Sequence, residues 1–229
     1  MTSVSSEPGN PPQTRCIIFD LDGTLVHSAV DFVRLKSETI RLLEELGLPT
    51  AGLSEKMKTY QIMSKVQEQT KTGGNHLPYE EISRRVTQVW DSCELARVTE
   101  TTIAAGAREV LETLSGRGLS IGIITRGCHA YAVRALETTG LLPFVGLILG
   151  RDDTANPKPD PEPLLYAMSI FHAKRTEVVM VGDSAEDSEC ARLAGVRFIG
   201  VKGGALSIDG GKPTQADLVD LWNVASLFE

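Results

Sequence analysis

The 229-residue chain has no apolar run long enough to span a bilayer, which argues against a membrane-spanning helix. It has no excess of basic residues. Lys and Arg number 23 against 30 Asp and Glu, and the net charge of −7 argues against a nucleic-acid partner, which calls for a basic face. There is no C-x-x-C pair among the four cysteines (Cys16, Cys93, Cys128, Cys190), so they read as reduced thiols of a cytoplasmic protein, acting as small apolar residues. The four histidines (His27, His76, His129, His172) fall in no zinc pattern, and the adjacency of Cys128 and His129 is not a ligand spacing. Glycine-based phosphate motifs are absent as well. Gly211-Lys212 is followed by Pro213 and has no glycine at the required upstream spacing, so it is not a P-loop. Gly116-Arg117-Gly118 precedes its strand instead of following it, so it is not a dinucleotide turn. Residues 1–13 are rich in Ser, Pro and Gly, lack the apolar centre of a secretory signal, and read as a disordered tail.

What remains is ordinary for a globular protein, with 41% hydrophobic and 23% charged residues and a length that suits one large domain or one domain plus an insertion. The organising stretch is Cys16-Ile17-Ile18-Phe19-Asp20-Leu21-Asp22-Gly23-Thr24-Leu25. Its apolar start reads as a buried strand of a parallel sheet. Asp20 then stands at the strand's carboxyl end, where open α/β sheets bind ligands. Asp22 follows as the chain turns at Gly23. Alone, the stretch is equally a strand followed by an Asp-Gly turn.

Beyond it, helical periodicity covers Asp31 to Leu46, closed by Gly47, then Ser54 to Lys71, broken by Gly73-Gly74, then a helix opened by Pro78 and carrying Ile82, Val86, Val89, Trp90 and Cys93 on one side. From Gly106 helices and strands alternate. Helices are expected at Ala107 to Leu114, Cys128 to Thr139, Pro161 to His172 with Asp160 as N-cap, and Ala185 to Ala194. Strands are expected at Leu119 to Thr125, Val145 to Leu149, Val178 to Gly182 and Val196 to Val201. Gly203, Gly204, Gly210 and Gly211 mark a loop, and Leu221 to Phe228 a short final helix. The alternation implies an α/β fold, a doubly wound parallel sheet with right-handed crossovers. The expected organisation is a core of residues 14–28 and 98–229 with an inserted helical domain at 29–97, leaving from the carboxyl edge of the sheet as a lid over any site there.

Polar residues stand at four strand ends that a parallel sheet brings to one edge: Asp20 and Asp22, Thr125, Lys158 within Asn156-Pro157-Lys158-Pro159-Asp160-Pro161, and Asp183 within Gly182-Asp183-Ser184, with Asp187 beyond. Lys158 is stiffened by the prolines on both sides and suits a fixed charge aimed at a phosphate, although a solvated turn lysine looks the same. Thr125 can donate its hydroxyl to an anion. Ser184-x-x-Asp187 resembles a capping box, so Asp187 caps a helix, lies near a metal, or both. Carboxylates crowded at one edge raise one another's pKa, and a hard dication such as Mg²⁺, which also binds phosphate, relieves the repulsion. The matching chemistry is attack of Asp20 on phosphorus to give an aspartyl-phosphate, with Lys158 and the metal stabilising charge and Asp22 as general acid and then base.

These residues resemble the haloacid dehalogenase superfamily, from about Arg15 to near the end of the chain. Phe19 to Leu25 looks like its first motif, Thr125 its second, Lys158 its third, and Gly182-Asp183-Ser184 with Asp187 its fourth. The resemblance implies a Rossmann-like core with a helical cap, Asp20 as nucleophile, Asp22 as acid/base, and Mg²⁺ held by Asp20, the backbone carbonyl of Asp22, and Asp183. Phe19 to Ser28 and Lys158 to Pro161 look most like the phosphoglycolate phosphatase-like branch, where His27 replaces a common Asp and Arg126 a common Asn. Arg126 is a candidate for binding a carboxylate or second phosphate of the substrate, or a surface arginine; the role of His27 is open. The implied function is a Mg²⁺-dependent phosphatase of a small phosphorylated metabolite, acting as a monomer or homodimer. The alternatives are a sugar phosphomutase of the same family and a non-catalytic regulatory or binding protein on the same fold.

Overall fold

A computed structural model describes residues 13–71, 77–201 and 220–228. The expected tail, apart from residue 13, and the glycines at 73, 74, 203, 204, 210 and 211 lie outside the described residues. Two compact units emerge, residues 1–28 with 102–229, and residues 29–101.

The first unit is built on a five-stranded parallel sheet of β1 (Cys16–Phe19), β4 (Ser120–Ile124), β5 (Leu147–Leu149), β6 (Val178–Gly182) and β7 (Arg197–Gly200), in the order β5-β4-β1-β6-β7. The central strand β1 and its neighbour β6 are buried along their whole length, as continuous apolar runs should be in a sheet covered on two faces. The helices α4 (Ala107–Gly116), α5 (His129–Thr139), α6 (Glu162–Ile170) and α7 (Ala185–Ala194) make the crossovers. The chain moves outward through β4 and β5, then returns across β1 to β6 and β7. Right-handed crossovers therefore put α4 and α5 on one face and α6 and α7 on the other. Cys16, Ile18, Met180, Leu164, Ala167, Cys190 and Ala191 form one core cluster between the sheet and α6 and α7.

Two short strands escaped the sequence reading. β2 (Val26–His27) and β3 (Thr102–Ile103) pair antiparallel, Val26 opposite Ile103, where the inserted segment leaves and rejoins the first unit. Two residues show no periodicity, so nothing in the sequence marks them. The last segment also differs from expectation. Leu221–Asn223 and Ala225–Phe228 are 3₁₀ turns with bonds such as Val224 N–H to Leu221 O (2.9 Å), not one helix. Arg117 Nη1 donates to the Ala225 carbonyl at 2.8 Å. Asp160 is not the N-cap of α6; that position is Pro161, and Asp160 Oδ1 accepts from Glu162 N at 2.9 Å.

The second unit holds α1 (Phe32–Glu45), α2 (Thr59–Lys71) and α3 (Tyr79–Ala96) around its own core of Leu43, Ile62, Val66, Ile82 and Val86. Asp31 caps α1 by accepting from Arg34 N at 2.9 Å. Trp90 Nε1 donates to Thr39 Oγ1 at 2.8 Å, which places the tryptophan in this core and satisfies its polar edge. α2 starts at Thr59 and not near Ser54. Residues 54–57 close a turn (Met57 N to Ser54 O, 3.0 Å), and Lys36 Nζ occupies the Glu55 carbonyl at 3.0 Å.

Candidate active site

The site lies within the first unit, at the carboxyl ends of β1, β4 and β6. Asp20 leaves β1 with its backbone N–H still paired to Val181 O of β6 (2.8 Å), so the strand holds it until its side chain has emerged. Lys158 Nζ donates to Asp20 Oδ1 and to Asp187 Oδ1, each at 2.5 Å, and all three side chains are buried. The peptide bond between Lys158 and Pro159 is cis.

Asp187 is both cap and site residue. Its Oδ2 receives Ser184 N (3.1 Å) and Ser184 Oγ (2.5 Å), while Ser184 Oγ accepts from Asp187 N at 3.2 Å. This capping box at the start of α7 leaves Oδ1 for Lys158. Gly182 is required beside it, because a Cβ there would lie 2.6 Å from the Asp187 side chain.

Asp183 completes a trio with Asp20 and Asp187, one carboxylate oxygen of each lying within 4.8 Å of the other two. Thr24 Oγ1 donates to Asp183 Oδ1 at 3.3 Å. Gly23, at φ +86°, turns the chain beneath this carboxylate; a Cβ on it would come within 2.3 Å of Asp183 Oδ2. Thr24 was not singled out from the sequence, although it stands in the same first motif.

Asp22 is not part of the trio. Its carboxylate turns to Tyr131 of α5, whose hydroxyl donates to Oδ1 at 2.5 Å, while Thr125 Oγ1 lies 3.5 Å from Oδ2. Thr125 follows the last residue of β4, and its hydroxyl oxygen accepts from Gly127 N at 3.0 Å. Tyr131 carried no sequence signal, since its contact with Asp22 spans 109 positions. Arg126 Nη1 lies 3.8 Å from Glu186 Oε1 in the first turn of α7, and the Arg126 carbonyl accepts from Arg151 Nη1 at 3.0 Å. Its guanidinium thus faces a carboxylate of the protein. His27 is an exposed end of β2.

The electrostatics follow from this crowding. Burial, then the Asp187 charge, lifts the pKa of Asp20 well above the carboxylate range, with Lys158 opposing. Burial and Asp187 raise Asp183 in the same way. Burial works against the charged form of Lys158, but Asp187 and Asp20 outweigh it and hold its pKa above the usual lysine value. Three carboxylates against one ammonium leave a buried excess of negative charge. Among the described residues none donates to Oδ2 of Asp20. All the donors are hard oxygens, the set that suits a small dication.

A family model described as haloacid dehalogenase-like hydrolase matches residues 17–201. The phosphoglycolate phosphatase of Nitrosospira multiformis is 30% identical over 189 residues, covering 81% of this chain and 82% of that one. The chain belongs to the haloacid dehalogenase-like hydrolases. Within that family it falls in the branch similar to the phosphoglycolate phosphatases. Among solved structures, the chain is similar to a hydrolase from Pseudomonas syringae (26% identity, TM-score 0.61, 86% of this chain and 88% of that one). CbbY from Rhodobacter sphaeroides, solved in complex with phosphate, shares the fold at 17% identity (TM-score 0.63, 93% of this chain and 96% of that one).

Proposed function

We propose that this hydrolase cleaves a small phosphate monoester through an aspartyl-phosphate on Asp20. The observation that carries the reading is the pairing of a buried Asp20 with a buried Lys158 at 2.5 Å, at the tip of the central strand. The Asp20 carboxylate attacks phosphorus, the bond to the leaving oxygen breaks, and a proton from Asp22 passes to that oxygen. Asp22, now ionised, takes a proton from water as the water oxygen bonds to phosphorus and the Asp20–phosphorus bond breaks. Lys158 and the Thr125 hydroxyl hold the phosphoryl oxygens. Asp187 positions Lys158 without touching the substrate.

The trio fits Mg²⁺, and Asp20, Asp183 and the backbone carbonyl of Asp22 would hold it. When bound it would neutralise the carboxylate excess and lower the pKa of Asp20, keeping the nucleophile ionised. The relatives named above support phosphoglycolate, a two-carbon phosphate bearing a carboxylate, as the first substrate to assay. The test is turnover of a panel of phosphorylated metabolites with Mg²⁺, run beside Asp20→Asn. The wild type should release phosphate and the variant should not, with an unchanged circular dichroism spectrum. Wild-type rates in Asp20→Asn would mean that no covalent step occurs on this residue.

A further inference from the structure

Tyr131 is the third residue of α5, and its ring is fully buried. Space for the ring comes from residue 127, where a Cβ would lie 2.6 Å from Tyr131 Cδ1. Gly127 is therefore tied to Tyr131. The Tyr131 hydroxyl meets Asp22 Oδ1 at 2.5 Å and Ser28 Oγ at 2.9 Å. A phenol has one proton, and a serine hydroxyl both donates and accepts, so while Tyr131 donates to Asp22 the Ser28 hydroxyl can donate to the phenol oxygen. Ser28 is the last residue of the first unit before the inserted one.

We propose that Tyr131, admitted by Gly127 and held by Ser28, is the positioning residue that fixes the orientation of the Asp22 carboxyl group for its acid/base role. The phenol meets Oδ1 at 2.5 Å and the Thr125 hydroxyl lies 3.5 Å from Oδ2, so the shorter contact, from Tyr131, sets how the carboxyl group is turned. Without the phenol the carboxyl group loses its 2.5 Å contact at Oδ1 and with it the orientation that contact sets. The inference rests on the acid/base role given to Asp22 above.

The leaving group separates this role from a structural one. An alkyl phosphate expels a poor leaving group that needs the proton, whereas 4-nitrophenyl phosphate expels a stable anion that does not. In Tyr131→Phe, which keeps the ring, kcat/KM should fall roughly 10- to 100-fold for 2-phosphoglycolate and by less than about 3-fold for 4-nitrophenyl phosphate. Gly127→Ala, which pushes the ring aside, should reproduce that asymmetry, and the double variant should show no larger one than Tyr131→Phe. Ser28→Ala should shift the ratio the same way by a smaller amount, and serves as the test should Tyr131→Phe not fold. An equal fall with both esters, or no fall with either, would overturn the assignment. A wild type that cleaved no ester of the metabolite panel would instead remove the phosphatase reading, and this inference with it; were another alkyl ester of the panel the better substrate, it would take the place of 2-phosphoglycolate in the comparison.

Discussion

Gly23 is the position where a single atom is most exposed to test. Its φ of +86° is one that side chains avoid, and a Cβ would meet Asp183 Oδ2 at 2.3 Å. Gly23→Ala must therefore strain the turn and displace a carboxylate of the trio at once. The expected result is a loss of about 1–3 kcal/mol in urea unfolding, together with weaker Mg²⁺ binding by calorimetry. An alanine variant with wild-type stability and metal affinity would show that the turn is looser than the geometry implies. At the same scale, Lys158 and Asp187 act as one unit. Lys158→Met would leave Asp20 and Asp187 buried and facing each other without the ammonium between them.

The start of α7 is the element on which the site leans most. Ser184 caps the helix and grips Asp187, which in turn grips Lys158. Ser184→Ala should lose about 0.5–2 kcal/mol of stability, and Ser184→Thr should restore most of it. Turnover should fall with the alanine and recover with the threonine; stability lost without any change in turnover would show that Asp187 holds Lys158 unaided. This box was legible in the sequence because its partners are three residues apart. So were β6 and α7, whose bounds are those that the apolar run and the helical pattern mark out. The strand-tip positions of Asp20, Thr125 and Asp183 were legible as well, because buried apolar runs end there. The β2–β3 pair was not, because two residues carry no period. Nor was the Tyr131–Asp22 bond, because a hydrogen bond across 109 positions leaves no local trace. The last segment misled because α and 3₁₀ turns share nearly the same local pattern over so few residues.

For the molecule as a whole, the carboxylate excess ties stability to pH and metal. With no metal bound, the folded state keeps protons on Asp20 and Asp183 that the unfolded chain has released, because their folded pKa values are raised. Stability must then fall as pH rises from about 4, the ordinary carboxylate value, through the raised values. Lys158 titrates far above that window and contributes no slope within it. In a chelator the melting temperature should drop with rising pH, and Asp20→Asn should flatten that slope; a slope unchanged by the substitution would place its origin elsewhere. Mg²⁺ at a hundredfold excess over its Kd should add about 2.7 kcal/mol, or roughly 5–10 °C, to the wild type and far less to Asp183→Asn. The central claim is the covalent step, and it is most directly reached through the variant that should stall after it. With Asp22→Asn and 4-nitrophenyl phosphate, the leaving group needs no proton but the water attack lacks its base. The account predicts a burst approaching one nitrophenolate per active site, with a phosphoryl group found on Asp20 by peptide mass mapping after acid quench. Slow linear release with no burst and an unmodified Asp20 would contradict it.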